Sequence, residues 1–583
     1  MSRRASILGL AVAAALLALG LQSWGLAQAL VERHVVAGIE KRVGLKVTSL
    51  KRAEIALLPL PRISLSGVTF ASPDGALSGT ALRLRARARL LSLVGGQLDF
   101  DRVDLIGPEV DIVVPNEPES YANWVAPPLA YLSALKGETQ LVISSGSLMA
   151  RSGNTILTTL RDVNLVVEER DAAGPVAFAG SFTWRGETTK VNLLWPVTGE
   201  RARVALALSS NLMSLRLNGS RSGAQGVTTG QVEFTAPSLP DALAWIGPRP
   251  RIATLVRRVE LTAEAQLAGD NISLSNVIAK LDGDQLEGAL KLDGGGGARR
   301  VLSGTLAGAD FDLGRLIRQG GDQQPPGTGE AGETPLEFDS WTAHDVDLRI
   351  SLDAARLGPA RLADLAAQLM VRKGRFEASV LRASAYGGSA RARLLATSVP
   401  TGAEVKVQLG LDRVNLAQAG SDLPDLLGSL TGFASGQIAL DGVGDSFEQV
   451  VGSLTGRVTA NLRQGEFKGA SFAELLRRAE RPVAARDWRQ GKTSFETAQV
   501  TALAHRGVLT LTDAQMAGSG YALSLSGSAD LGRRWLELAG MLSATNGPAR
   551  AAFEVRGPFT DAVFTPTLDA VVHPTGSTSQ LPR

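Results

Sequence analysis

The chain of 583 residues contains no cysteine. That absence excludes disulfides, thiolate metal sites and cysteine nucleophiles, and it leaves the compartment open as far as redox chemistry goes. Aromatic residues make up only 5% of the chain, so its apolar area comes mainly from Leu, Ala and Val. Histidine is equally scarce: His34, His344, His505 and His573 stand alone, at no metal-ligand spacing. No GxSxG elbow occurs either, and nothing in the sequence places a nucleophile, a base and an orienting acid in a recognisable order. No enzyme is expected, and no cofactor. Charge of one sign is also missing in bulk, because 60 Lys and Arg face 57 Asp and Glu for a net charge of +3. Any cationic effect is therefore local despite a sequence pI near 9.2, and bulk nucleic-acid binding is excluded.

What the chain has is apolar residues and turns. Hydrophobic residues make up 44%, mean hydropathy is +0.08 and there are 64 glycines, a composition too apolar for disorder and too rich in turns for long helices. One long apolar run stands at the start. After Arg3 and Arg4 the chain reads ASILGLAVAAALLALGLQSWGLAQAL, with no charge from Ala5 to Leu21. Residues 5–29 are expected to form a transmembrane anchor, with 1–4 in the cytoplasm and the bulk of the chain in the periplasm, by positive-inside logic. A cleaved signal peptide ending at Ala27-Gln28-Ala29 is the alternative. Ser2-Arg3-Arg4 matches a twin-arginine signal only weakly.

Beyond the anchor a period of two recurs. In LRLRARARLL, Arg83, Arg85, Arg87 and Arg89 fall on one face of a strand, and Leu82, Leu84, Ala86, Ala88 and Leu90 on the other. VDLRISLD alternates Val346, Leu348, Ile350 and Leu352 with polar residues, VKVQLGLD does the same with Val405, Val407, Leu409 and Leu411, and YALSLSGS offers Leu523 and Leu525. NISLSN, LRLN and VLTLTD repeat the pattern between turn residues. One apolar and one wet face is the signature of antiparallel sheet. Short helices are expected in SLPDALAWIG, capped by Ser238, and in ASFAELLRRAE, with Ser471 and Glu474 at capping-box spacing; DLGRLIRQ and DLPDLLGSL offer further helical turns. Residues 30–318 form an N-terminal β-groove region, 319–335 a flexible Gly/Pro-rich linker, 336–572 a C-terminal β region and 573–583 a disordered tail.

Other motifs are weighed against plainer readings. Gly491-Lys492-Thr493 lacks the first glycine of a phosphate loop, since Arg486 stands in its place, so no nucleotide is expected. Gly294 to Gly297 with Arg299 and Arg300 reads as a hairpin loop. Asp99, Asp101 and Asp104 read as a solvated strand edge rather than a cation site. The arginine stripe is a solvated outer face, or else a contact for anionic headgroups.

The order of features resembles the bacterial AsmA family. After the anchor come GLKVTSLKRAEIALLPLPRISLSGVTFASPDG, then LLSLVGGQLDFDRVDLIGPEVDIV and the Asn123-Trp124 pair. The C-terminal half is similar to the family in ADLAAQLMVRKGRFEASVLRASAYGGSARA, LTGRVTANLRQGEFKGASFAELL and GKTSFETAQVTALAHRGVLTLTDAQMAGSGYALSLSGSADL. The resemblance implies an inner-membrane-anchored periplasmic protein of the repeating β-groove, bridge-like lipid transfer class: an extended, curved antiparallel β-sheet groove with few short helices, preceded by one N-terminal transmembrane helix. Its implied partners are phospholipids and the inner membrane, with the outer membrane or other envelope proteins beyond, and its implied role is outer-membrane lipid homeostasis. The family offers no catalytic residues to carry over. In this reading Leu82, Leu84, Leu90, Val346, Leu348, Ile350, Leu352, Val405, Val407, Leu409, Leu411, Leu523 and Leu525 line the groove. A non-transporting scaffold or modulator of outer-membrane protein assembly, binding polypeptide on the same apolar face, is the alternative.

Overall fold

A computed structural model gives the fold. It describes Trp24–Gly25 and residues 46–567, apart from 57, 59, 74, 90–99, 114–139, 170–174, 197–200, 223–225, 248–254, 295–298, 316–337, 343 and 481–490. The chain is mainly β. It divides into two compact units, one of Met1–Pro248, Arg257–Asp282 and Lys291–Arg299, the other of Arg249–Val256, Gly283–Leu290 and Arg300–Arg583.

The first unit holds β1 (Trp24–Gly25), β2 (Lys46–Ser49), β3 (Arg52–Ala56), β4 (Arg62–Ala71), β5 (Leu77–Ala88), β6 (Phe100–Val113), β7 (Gln140–Ser152), β8 (Thr155–Glu169), β9 (Pro175–Trp184), β10 (Glu187–Pro196), β11 (Arg201–Ser209), β12 (Ser214–Ser222), β13 (Val227–Ala236), helix α1 (Leu239–Ile246), β14 (Val259–Ala268) and β15 (Asn271–Leu281). β16 (Asp284–Asp293) spans the division between the units. The second unit holds β17 (Val301–Asp312), α2 (Phe338–Trp341), β18 (Asp345–Leu357), β19 (Ala360–Arg372), β20 (Arg375–Ala385), β21 (Gly388–Val399), β22 (Gly402–Asn415), α3 (Leu416–Asp422), α4 (Pro424–Leu427), β23 (Phe433–Gly444), α5 (Phe447–Ser453), β24 (Thr455–Lys468), α6 (Phe472–Glu480), β25 (Lys492–His505), β26 (Val508–Gly518), β27 (Tyr521–Asp530), β28 (Trp535–Ala544), β29 (Arg550–Pro558) and β30 (Val563–Thr567).

Within each unit the sheet is a meander. From β4 to β15, and again from β17 to β30, each strand pairs with the next, in many cases because a hairpin turn of two residues returns the chain directly. Tyr386-Gly387 and Arg506-Gly507 are such turns, with positive φ at both positions, the conformation that lets a tight turn follow the strand twist. Among the described residues, two of these consecutive pairs break the antiparallel expectation. β6 pairs with β7 and β17 with β18 in parallel, and in both cases a connection of more than two dozen residues separates the partners, which is what a parallel pair requires.

A row of left-handed residues crosses strands of the first unit, with a register shift between β7 and β8. Gly67 in β4, Gly107 in β6, Ser145 in β7 and Asp162 in β8 all have φ between 50° and 61° and fall beside one another in register. Asn164 satisfies part of the interrupted ladder: its Oδ1 accepts from the Ser145 N–H at 2.9 Å and its Nδ2 donates to the Asp162 carbonyl. Along this row the buried and exposed faces change places. In β5 the buried positions are Leu77 and Ala81 before the row, but Leu84, Ala86 and Ala88 after it.

That exchange corrects one expectation. Leu82, read from strict alternation as an inward residue, is 73% exposed and lies outward over Gly107 beside Arg83. Leu381, in the irregular step of β20 between Val380 and Ala383, is turned out in the same way at 59%. Nearly all of the expected anchor over 5–29 lies outside the described residues. The residues of it that the structure describes, Trp24–Gly25, are extended and pair with Ile55 and Glu54 of β3. Among the described residues no helix is long and apolar enough to cross a membrane.

Of the expected helices, α1 is capped by the Ser238 side chain, and α6 begins with Ser471 Oγ accepting from the Glu474 N–H at 3.3 Å. DLPDLLGSL contributes α4. Residues 313–315 of DLGRLIRQ are helical, and the remainder of that segment lies outside the described residues. α5 is not among the expected helices although its cap stands in the sequence: Ser446 Oγ accepts from the Gln449 N–H while Gln449 Oε1 accepts from the Asp445 N–H.

Candidate functional site

The second unit carries a sheet with two distinct faces. Across β18 to β24, cross-strand register assembles the apolar positions into rows. One row runs Leu348, Leu369, Ala378, Leu394, Val407, Leu440. The next runs Ile350, Ala367, Val380, Ala392, Leu409, Ile438, Val458. Neither row contains a charged or hydrogen-bonding side chain. The opposite face carries Arg349, Glu377, Arg393, Gln408, Lys406, Asp441 and Arg457 at the alternate positions. There the guanidinium of Arg375, with that of Arg393 beside it, holds the Glu377 carboxyl below the usual carboxylate range.

The apolar rows are not a packed core. Leu348, Ile350, Val405, Val407, Leu409 and Leu411 are only partly buried, and Leu394 is exposed. Full burial begins toward the strand ends: Val346 and Leu352 are buried, as are Ala355, Ala383, Ala385 and Val414. Helices account for part of this. At one end of the strands α3 packs against β19 and β22 with Leu416 and Ala419 buried, and the Tyr386 hydroxyl donates to Asp422. At the other end α5 packs on β22 and β23, bringing Val450 against Gly442 and Gly444, where a Cβ would collide with its backbone. The middle of the strands therefore presents an apolar floor with covered margins.

Farther along the same unit the apolar face is closed. α6 lies against β25, β28 and β29, and Phe472, Leu475 and Leu476 join Tyr521, Leu523, Leu542 and Phe553 in one buried cluster, with Leu525 packed against it. Burial pushes the Tyr521 phenol up to about 12, and its hydroxyl donates to the Ser494 carbonyl at 2.9 Å. Gly491-Lys492-Thr493 belongs to this seam: the buried Thr493 hydroxyl accepts from the Phe472 N–H and donates to the Ala470 carbonyl, while Lys492 pairs with Glu466 at 3.2 Å. Thr493 thus holds the start of α6, and Lys492 is paired across to β24.

In the first unit Leu84 is buried with Ile63, Leu65, Val68 and Ala86 in a compact cluster. Leu90 and Asp99 lie outside the described residues. On the outer face Arg87 and Asp101 form an ion pair at 2.8 Å, and that hydrogen bond raises the Arg87 pKa; Arg102 and Asp104 pair at 2.7 Å. Asp101 and Asp104 of the acid cluster thus have arginine partners. Arg83 and Arg85 are exposed, Arg89 is half-buried, and Arg62 of β4, which the sequence reading passed over, stands directly opposite Arg87.

Among the described residues no group of three His, Asp or Glu side chains is placed to hold a metal. The sheet of β18–β24 offers apolar contact on one face and charge on the other.

The sequence model of the AsmA family matches residues 319–514, about a third of the chain, and supports the family assignment. That stretch includes all of β18 to β24 and hence the apolar floor. No curated protein and no solved structure matches the chain.

Proposed function

We infer that this chain, which carries an AsmA family region over residues 319–514, binds the acyl chains of phospholipids on the apolar floor of β18–β24 and channels them between inner and outer membrane. In that role it supports outer-membrane biogenesis and lipid homeostasis from a single-pass inner-membrane anchor, with its bulk in the periplasm. The observation that carries the reading is the partial exposure of two uncharged rows six and seven strands wide. An apolar surface of that width is costly to leave in water, and an acyl chain laid on it gains roughly 0.8 kcal/mol per CH₂ buried. Because the rows lack a hydrogen-bonding anchor, that gain is nearly the same at every strand, which suits movement along the floor better than retention at one point. No chemical step is required.

Native mass spectrometry of the purified full chain, before and after delipidation, tests the reading. Co-purifying phospholipid, crosslinked by photoactivatable acyl chains to peptides of β18–β24, is the expected result. Absence of lipid, together with capture of polypeptide on the same strands, overturns it in favour of a scaffold.

A further inference from the structure

We propose that the outer face of β4 and β5 is a docking surface for an anionic phospholipid bilayer, built from Arg62, Arg83 and Arg85 around the outward-turned Leu82. The face lies opposite the buried cluster of Ile63, Leu65 and Leu84, so the proposal does not rest on the lipid-channel reading.

Three observations meet at this patch. First, its cations are in excess. The outer positions of β3 to β6 carry Arg52, Arg62, Arg83, Arg85, Arg87 and Arg102, and three carboxylates answer them: Glu54 binds Arg52, Asp101 binds Arg87 and Asp104 binds Arg102. Asp104 stands opposite Arg85 in register, but its carboxylate is held by Arg102 at 2.7 Å. Arg62, Arg83 and Arg85 form no ion pair among the described residues.

Second, the cations are crowded. Arg62 lies directly across from Arg87, Ser64 from Arg85 and Ser66 from Arg83. Directly opposed side chains are roughly 5 Å apart at Cβ and alternate residues of a strand roughly 7 Å apart, so the three free guanidinia share one small area. Like charges on neighbouring positions of one face repel, and a phosphate surface relieves that repulsion.

Third, the exchange of faces leaves an exposed apolar side chain at the same spot. Leu82 falls where the buried and exposed faces change places and is 73% exposed, flanked by Arg83, with Gly67 and Gly107 beside it in register. A basic patch with a protruding leucine matches the headgroup and acyl boundary of an anionic leaflet. Each basic residue near such a surface strengthens attachment about fivefold, so three give on the order of 100-fold.

The chain has no cysteine, so Leu82→Cys supplies a unique thiol for an environment-sensitive fluorophore. The labelled full chain is reconstituted in phosphatidylcholine vesicles with or without phosphatidylglycerol, each containing a spin-labelled lipid quencher. Quenching is expected only with phosphatidylglycerol, lost at high salt, and lost in the Arg62→Gln, Arg83→Gln, Arg85→Gln variant. A label at Val443→Cys, an exposed apolar position opposite Glu404 and near Asp441, stays bright in both vesicles. Equal quenching at position 82 in both lipids, insensitivity to salt, quenching at 443 to the same extent, or quenching that persists in the triple variant overturns the proposal. The salt titration is made on the chain with its arginines intact, so it decides even where the triple variant folds poorly.

Discussion

Aspartate placed on the open floor and aspartate placed in the closed cluster should have different consequences, and the difference measures whether the floor is open. Ile350 lies between Leu306 and Ala367 in register and is half-buried. Fully burying an isoleucine is worth about 1.5–3 kcal/mol, so Ile350→Asp removes about half of that, and the new carboxylate keeps its water. The expected loss of stability is about 1 kcal/mol, or a fall in Tm of roughly 2–4 °C for a unit of this size. Leu542 is completely buried between Leu523 and Ala551, under the cluster that α6 closes. Leu542→Asp strands a carboxylate among apolar side chains, and the loss should reach about 4–5 kcal/mol, a fall in Tm of more than about 10 °C. Leu409→Asp, in the same row as Ile350, should behave as Ile350→Asp does. Thermal unfolding by circular dichroism reads the first quantity, and photo-crosslinking of a labelled phospholipid reads the second. Crosslinking should fall at both floor variants although the fold is kept, because the charge interrupts a continuous apolar path. If Ile350→Asp lowered Tm as far as Leu542→Asp does, the floor would be a packed interior and the argument from partial burial would fail.

The seam that holds α6 gives two further expectations. Thr493→Val removes a buried hydroxyl that both accepts from Phe472 and donates to the Ala470 carbonyl, and leaves those two groups unpaired; a loss of about 1–3 kcal/mol is expected, with faster amide exchange confined first to α6, and unchanged exchange there would refute the assignment. Tyr521, pushed up to about 12 by burial, stays protonated in the folded chain where the unfolded chain ionises near 10. Its contribution is therefore complete below about pH 10 and is lost as pH rises from about 10 to about 12. Denaturant titrations across that range should show a decline that Tyr521→Phe flattens.

Much of the fold is legible because a period of two survives wherever a strand has one dry face. VDLRISLD, VKVQLGLD, NISLSN, LRLN, VLTLTD and YALSLSGS all lie in strands, and the Ser238 and Ser471 caps stand where their spacing puts them. The floor is half legible. Its members on β18 and β22 follow from alternation, and Leu394, Ile438 and Val458 alternate in the same way although the sequence reading did not single them out; Leu369 does not follow. In β19 the alternation is interrupted near Asp364, a non-glycine residue at φ 48°, so ARLADLAAQLMVR carries its dry face in two different phases. Arg62 escapes for another reason: it is a lone charge in PLPRISLS, and only pairing with β5 places it among the other arginines.

Whether an apolar position becomes floor or core is decided by what covers it, and coverage is a tertiary property that alternation does not encode. Val407 and Leu523 share one local pattern, an apolar residue on a strand that alternates dry and wet positions. Val407 is only partly buried, whereas Leu523 is buried because Phe472, Leu475 and Leu476 of α6 descend on its face. That helix is nine residues long; its cap, Ser471, immediately precedes it, and its tether, Thr493, comes from the start of β25. The difference between a surface able to carry an acyl chain and a sealed interior thus rests on one short helix and the hydroxyls that hold it.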